Sequence, residues 1–189
     1  MNICLIRHGE TDWNIAGRLQ GREDVPLNKN GELQAMNCGL ALSKQTWKAV
    51  ITSPLLRAKQ TADIIAGVLG IQEVYKDFDL IERDYGKASG LTPEERAELF
   101  PDGKFEGIEN WEPLRDRICG AVIKNAEKFL PESIIIVSHG GAINSVLAEL
   151  SGHEIGTGKT RLKNACINML TYEERTFKIK FFNKSCEEI

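Results

Sequence analysis

Apolar residues fill positions 3–6 as Ile3-Cys4-Leu5-Ile6 and stop abruptly at Arg7 and His8. A short apolar run cut off by polar residues is the pattern of a buried strand, here predicted over residues 2–6. The same pattern recurs at residues 49–51 and in Ile134-Ile135-Ile136-Val137 of residues 133–137. Two late runs, residues 166–172 and 177–182, flank Glu173-Glu174-Arg175 and predict two further strands. Residues 78–81 read as a short extended piece leading to Glu82.

Between these runs the apolar period changes to that of a helix. Asn28 caps a helix that places Ala35, Cys38 and Leu42 on one face. Ser53-Pro54 reads as an N-cap followed by proline at the first helical position, with Ala58, Ala62, Ile65 and Leu69 following and Gly70 as the stop. Thr92-Pro93-Glu94-Glu95 has the form of a capping box. Leu114, Ile118, Ala121, Val122, Ala126 and Phe129 mark an amphipathic helix that ends before Pro131. After Gly140-Gly141, residues 142–150 read as helix. Residues 9–27 and 102–110 are polar and glycine-bearing and read as loops; a long ordered loop in a compact domain is usually functional.

Strands alternating with helices imply an α/β sandwich with a mostly parallel sheet. The 189 residues suffice for one domain with a small insertion and a core that needs no disulfide or metal. The charge of -3 is evenly interspersed, and nothing in that balance argues for a nucleic-acid partner. Five cysteines with no C-x-x-C pair argue against a disulfide framework or zinc cluster and for a reducing, cytoplasmic setting. The first apolar run is too short for a signal peptide or a membrane span.

Ligands of open α/β sheets bind beyond the carboxyl ends of the strands. His8 and His139 both sit at such ends, Arg7 beside the first. Arg57 falls in the first turn of the helix after Ser53-Pro54, and Glu82 follows the piece at 78–81. Taken singly, each has an ordinary reading: a structural histidine, a surface arginine, a solvated carboxylate. His153, between Gly152 and Glu154, is read as a loop residue. Together the other five would form an anion site, since arginine forks and helix N-termini both suit phosphate. A neutral His8 in that site can attack phosphorus, provided its other nitrogen donates to a fixed acceptor such as a backbone carbonyl. His139, if protonated, would stabilise the transferring oxygens. Glu82, if protonated, could donate to the leaving oxygen and later activate water. The three histidines lack the spacing of a zinc site.

The block Leu5-Ile6-Arg7-His8-Gly9-Glu10-Thr11-Asp12-Trp13-Asn14 resembles the signature of the histidine phosphatase superfamily, the phosphoglycerate mutase-like family. The match continues through Gly17-Arg18-Leu19-Gln20-Gly21 and Asp24-Val25-Pro26-Leu27-Asn28. It resumes at Ser53-Pro54-Leu55-Leu56-Arg57-Ala58, at Leu80-Ile81-Glu82-Arg83-Asp84-Tyr85-Gly86 and at Val137-Ser138-His139-Gly140-Gly141. The resemblance implies a three-layer α/β/α sandwich of one domain over residues 1–189, with a short cap around residues 90–112. It implies a phosphohistidine on His8 and Glu82 as proton donor. It further implies a phosphate pocket of Arg7, Arg57 and His139, with Gly140 beside it. Asn14, Gln20 and Gly21 match positions that line the phosphate site, and Tyr85 matches one that can touch substrate. No metal or organic cofactor is implied; the partner is a small-molecule phosphate ester, with no nucleic acid, no membrane and oligomeric state open.

The family holds phosphatases and mutases. Mutases that use 2,3-bisphosphoglycerate carry a long insertion with a lysine and two adjacent arginines. Residues 90–113 here are few and hold Arg96 and Lys104 but no such pair. The expectation is therefore a phosphatase, with a phosphoglycerate mutase as the alternative. The short cap is expected to shape substrate choice, its Asp102, Glu106 and Glu109 being read as solvated loop charges.

Overall fold

The computed structural model describes residues 1–189. Six strands form one sheet: β1 (Asn2–Arg7), β2 (Ala49–Thr52), β3 (Val74–Lys76), β4 (Ile134–Ser138), β5 (Ile167–Glu173) and β6 (Thr176–Lys184). Their order is β3-β2-β4-β1-β5-β6. The first four run parallel, and β5 and β6 are antiparallel additions at one side. The helices are α1 (Asp12–Ile15), α2 (Lys29–Leu42), α3 (Leu56–Leu69), α4 (Pro93–Leu99), α5 (Trp111–Phe129) and α6 (Gly140–Leu150).

Successive side chains of a strand point to opposite faces, so each central strand feeds two cores. Ile3, Leu5, Ile134 and Ile136 pack with Leu114, Ile118 and Ile143 of α5 and α6. Cys4, Ile6, Ile135 and Val137 pack with Cys38, Leu42, Ala58 and Ile65 of α2 and α3. The result is a three-layer α/β/α sandwich. Each fully buried Leu or Ile stabilises it by roughly 1.5–3 kcal/mol.

The register decides what sits at the sheet edge. Ile6 pairs with Val137 and Arg7 with Ser138, and the His8 amide continues the ladder to the Ser138 carbonyl at 2.9 Å. His8 and His139 therefore leave adjacent parallel strands at the same end.

Four local expectations change. One turn of helix, α1, interrupts the loop at 9–27, closed by a capping box between Thr11 and Asn14. The piece at 78–81 is a 3-10 turn, Phe78–Leu80, because the Asp77 carboxylate accepts from the Asp79 amide at 3.1 Å; the extended segment lies earlier, at β3. Ser53 is not the N-cap of α3. Leu55 takes that position, and the Asp24 carboxylate from the loop accepts from the Leu56 amide at 2.6 Å. Finally, α6 begins at Gly140, two residues before Ala142, with His139 as N-cap. No helix is long and apolar enough to cross a membrane.

Candidate active site

A cleft of about 530 Å³ opens where the carboxyl ends of β1 and β4 meet the N-terminus of α6. Arg7, His8, Asn14, Gln20, Gly21, Arg57, Glu82, Tyr85 and Gly140 all line it. His139 does not line it but stands fully buried beside His8, their ring centroids 5.3 Å apart and inclined at 55°.

His8 is 2 % exposed. Its Nδ1 lies 2.7 Å from the Gly9 carbonyl oxygen. A carbonyl can only accept, so Nδ1 carries the proton and Nε2 keeps its lone pair. Burial, then Arg57 and Arg7, hold the His8 pKa well below its ordinary value. The ring is thus neutral near pH 7. The backbone around it is pinned: the Gly9 amide donates to Thr61 Oγ1 at 3.0 Å, and Asn164 Nδ2 donates to the His8 carbonyl at 3.2 Å and to Gly9 at 3.3 Å. Gly9 admits no side chain, because a Cβ there would lie 2.4 Å from the Gly31 carbonyl oxygen at the start of α2.

His139 Nε2 lies 2.8 Å from Ser53 Oγ. That hydroxyl oxygen also accepts from the Leu55 amide at 3.3 Å, so its own proton is free to point at Nε2. When that hydroxyl donates to Nε2, the proton of His139 lies on Nδ1, which is buried with no protein partner. Burial, then Arg57, His8 and Arg7, lower the His139 pKa well below its ordinary value. Burial beside two guanidiniums thus favours the neutral form of this ring.

Two guanidiniums lie at the floor. Arg57, 1 % exposed, donates Nη1 to the Glu23 carbonyl at 2.7 Å and Nη2 to Gly21 at 2.8 Å. Arg7 donates Nη1 to the Leu162 carbonyl at 2.6 Å. Neither meets a carboxylate, and Nε of each is buried without a partner. Burial pulls the Arg57 pKa down to about 10, with Glu82 opposing it, and lowers that of Arg7 as well. Both stay charged at neutral pH. Burying an uncompensated cation is costly, so this floor calls for an anion.

Glu82 faces them from the N-terminus of α6. Its Oε2 accepts from the Gly141 amide at 3.0 Å, and its Oε1 from Ala142 at 3.0 Å and Arg83 at 2.8 Å. Gly141 leaves room for this: a Cβ there would lie 2.7 Å from Glu82 Oε1. Burial, then Glu82, pushes the Tyr85 phenol up from its ordinary pKa, so it remains a neutral donor. No three His, Cys, Asp or Glu side chains gather into a metal-ligand set.

The far wall is one that the sequence did not reveal. It is Thr160, Arg161, Leu162, Lys163 and Asn164, with Asn144 of α6. The only local signal was a polar, basic pentad between the last helix and β5. Residues 90–112 line none of the cleft, so the segment expected to shape substrate choice stands behind its wall instead. There the Gly90 amide donates to the Leu19 carbonyl at 2.7 Å, and Lys87 and Glu106 pair.

The family model described as histidine phosphatase superfamily (branch 1) matches residues 3–185. The chain is 42% identical to the phosphatase PhoE of Bacillus subtilis, itself described as uncharacterized, over 96% of this chain and 93% of that one. It is 34% identical to the probable phosphoglycerate mutase GpmB of Salmonella typhi, over 92% and 86% of the two chains. The solved structure of YhfR from Bacillus stearothermophilus superposes with a TM-score of 0.88 at 26% identity, covering 95% of each chain.

Proposed function

Since this chain belongs to the histidine phosphatase superfamily, we propose that it hydrolyses a small-molecule phosphate monoester through a phosphohistidine on His8. The observation that carries this reading is the His8–Gly9 contact of 2.7 Å, which leaves Nε2 unprotonated above a floor of two unpaired arginines.

In this reading the phosphoryl oxygens sit against Arg7 and Arg57, with Asn14, Gln20, Gly21 and Gly140 around them. His8 Nε2 forms the new bond to phosphorus as the ester P–O bond breaks. Glu82 gives a proton to the departing alkoxide, and Tyr85 lies beside that oxygen. Water then attacks the phosphohistidine, Glu82 takes its proton, and His8 and inorganic phosphate are released. His139 Nδ1–H supplies one neutral donor to the phosphoryl group. The chain's own residues perform every step, so no metal or organic cofactor is required. The whole chain acts as one cytoplasmic domain, with residues 90–112 as a small cap that supports the cleft from outside.

The mutase alternative rests on the likeness to GpmB. It is disfavoured because residues 90–112 bring no basic pair to the cleft. A phosphate-release screen over metabolite esters, run beside a coupled isomerase assay with 2,3-bisphosphoglycerate, tests the two. Hydrolysis exceeding isomerisation is expected. Isomerisation exceeding hydrolysis would replace the proposal with the mutase.

A further inference from the structure

Outside the cleft, one side chain uses all five of its N–H donors. Arg117 of α5 donates Nη1 to the carbonyls of Asp79 at 2.9 Å and Ile81 at 2.7 Å. Its Nη2 donates to the Glu82 carbonyl at 3.0 Å and to Glu109 Oε2 at 2.9 Å, and its Nε to Glu109 Oε1 at 2.8 Å. A guanidinium has five donors in a fixed fork, and here every one has an acceptor. The pair is mostly enclosed, with side-chain exposures of 18% for Arg117 and 13% for Glu109.

Glu109 is therefore not a solvated loop charge. Its Oε2 also accepts from the Asp84 amide at 3.1 Å, and its own carbonyl accepts from Arg83 Nε at 2.8 Å. Burial alone would raise its carboxyl, but Arg117 and the Asp84 amide outweigh it and hold the pKa below the ordinary value. Arg22, on the loop whose carbonyls hold Arg57, reaches Glu109 at 3.6 Å and Asp84 at 3.5 Å.

The three carbonyls that Arg117 collects belong to a segment with no sheet partner of its own. Glu82 is thus held twice: its carboxylate by the N-terminus of α6, its backbone by Arg117 on α5. We propose that Arg117, locked by Glu109, is a positioning residue for Glu82 and sets how well that carboxyl reaches the leaving oxygen. It touches no substrate. A displaced acid a few tenths of an ångström from its proton-transfer distance loses much of its contribution, while phosphate binding on Arg7 and Arg57 persists. This inference rests on the phosphatase reading above.

The test is a series of substituted phenyl phosphates, from 4-nitrophenyl phosphate to phenyl phosphate. It is run on wild type, Arg117→Lys, Arg117→Ala and Glu109→Gln, each also combined with Glu82→Gln. Arg117→Ala is expected to lower kcat on phenyl phosphate about tenfold or more, with little change on 4-nitrophenyl phosphate. Inhibition by inorganic phosphate should stay the same, and Arg117→Lys should recover part of the loss. In the Glu82→Gln background the Arg117 substitutions should add nothing, the signature of two residues acting through one group. Uniform loss across the series, or losses that multiply with Glu82→Gln, would overturn the inference. If Arg117→Ala does not fold, Arg117→Lys and Glu109→Gln give the same reading. A wild type inactive on every ester, or a Glu82→Gln variant indifferent to the leaving group, would instead refute the functional reading on which it rests.

Discussion

His8 Nδ1 donates to the Gly9 carbonyl across 2.7 Å, so the reactive histidine takes its tautomer from its own neighbour in the chain. Asn164 binds the same carbonyl and, at 3.1 Å, Asn14 Oδ1, which ties the first loop of the cleft to its far wall. A base so held is ready to attack without first losing a proton.

His8→Ala should therefore abolish turnover, on the order of 10⁴-fold or more, together with the acid-labile phosphoenzyme trapped from a labelled ester. Quenched-flow trapping checks both. A variant that still accumulates phosphoenzyme would move the nucleophile elsewhere.

Acid sensitivity follows from the two lowered histidine pKa values. The folded protein binds fewer protons at His8 and His139 than the unfolded chain does. Stability is then fully present above the unfolded pKa of about 6.5 and is lost as pH falls from there toward the lowered folded values. Each histidine contributes at most about 1.4 kcal/mol per pH unit in that window. Urea midpoints measured from pH 8 down to 5.5 should fall more steeply for wild type than for His139→Gln. Parallel curves would show that His139 is not proton-poor in the folded state.

Gly141→Ala should act on the acid rather than on binding. Its methyl group would meet Glu82 Oε1 at 2.7 Å and Tyr85 Oη at 3.4 Å. The expected cost is about 1–3 kcal/mol of stability, with kcat on poor leaving groups reduced about tenfold or more. Thermal unfolding and the phenyl phosphate series measure the two effects separately. A variant with wild-type kcat on phenyl phosphate would mean that the carboxylate tolerates displacement.

Selectivity should reside in Arg161. Of the three basic residues at the mouth, Arg18 pairs with Glu95 and Lys163 with Glu188, whereas Arg161 pairs with no carboxylate. It already acts on Arg7, whose pKa it helps to lower. Phosphoserine and phosphoethanolamine differ by one carboxylate. Arg161→Ala should cut the kcat/KM ratio between them by about tenfold, less at high salt, with 4-nitrophenyl phosphate little changed. An unaltered ratio would remove Arg161 from substrate recognition.

Much of the frame was legible in the chain. The Ile3–Ile6 and Ile134–Val137 runs read as strands because burial on both faces leaves no polar position within them. Thr92 and Asn28 read as caps because a cap is a contact over three residues. Ser53 misled for an instructive reason: its hydroxyl serves His139 across 86 positions, and Asp24 caps the helix instead. Phe78–Leu80 misled because one aspartate, Asp77, is enough to curl a short apolar piece that periodicity reads as extended.

The sequence by itself determined the α/β alternation, the placing of Arg7-His8 and His139 at strand ends, and the family, since all three are written in short contiguous blocks. The tertiary structure alone decided which side chains complete the cleft. Only the β1–β4 register sets His139 beside His8. Only the return of the chain from α6 to β5 brings Arg161 and Asn164 to the wall. Only the packing of α5 turns Glu109 from a loop charge into the partner of Arg117. The physical reason is range: caps and periodicity act over a few residues, whereas these contacts join segments far apart in sequence and exist only once both cores have packed.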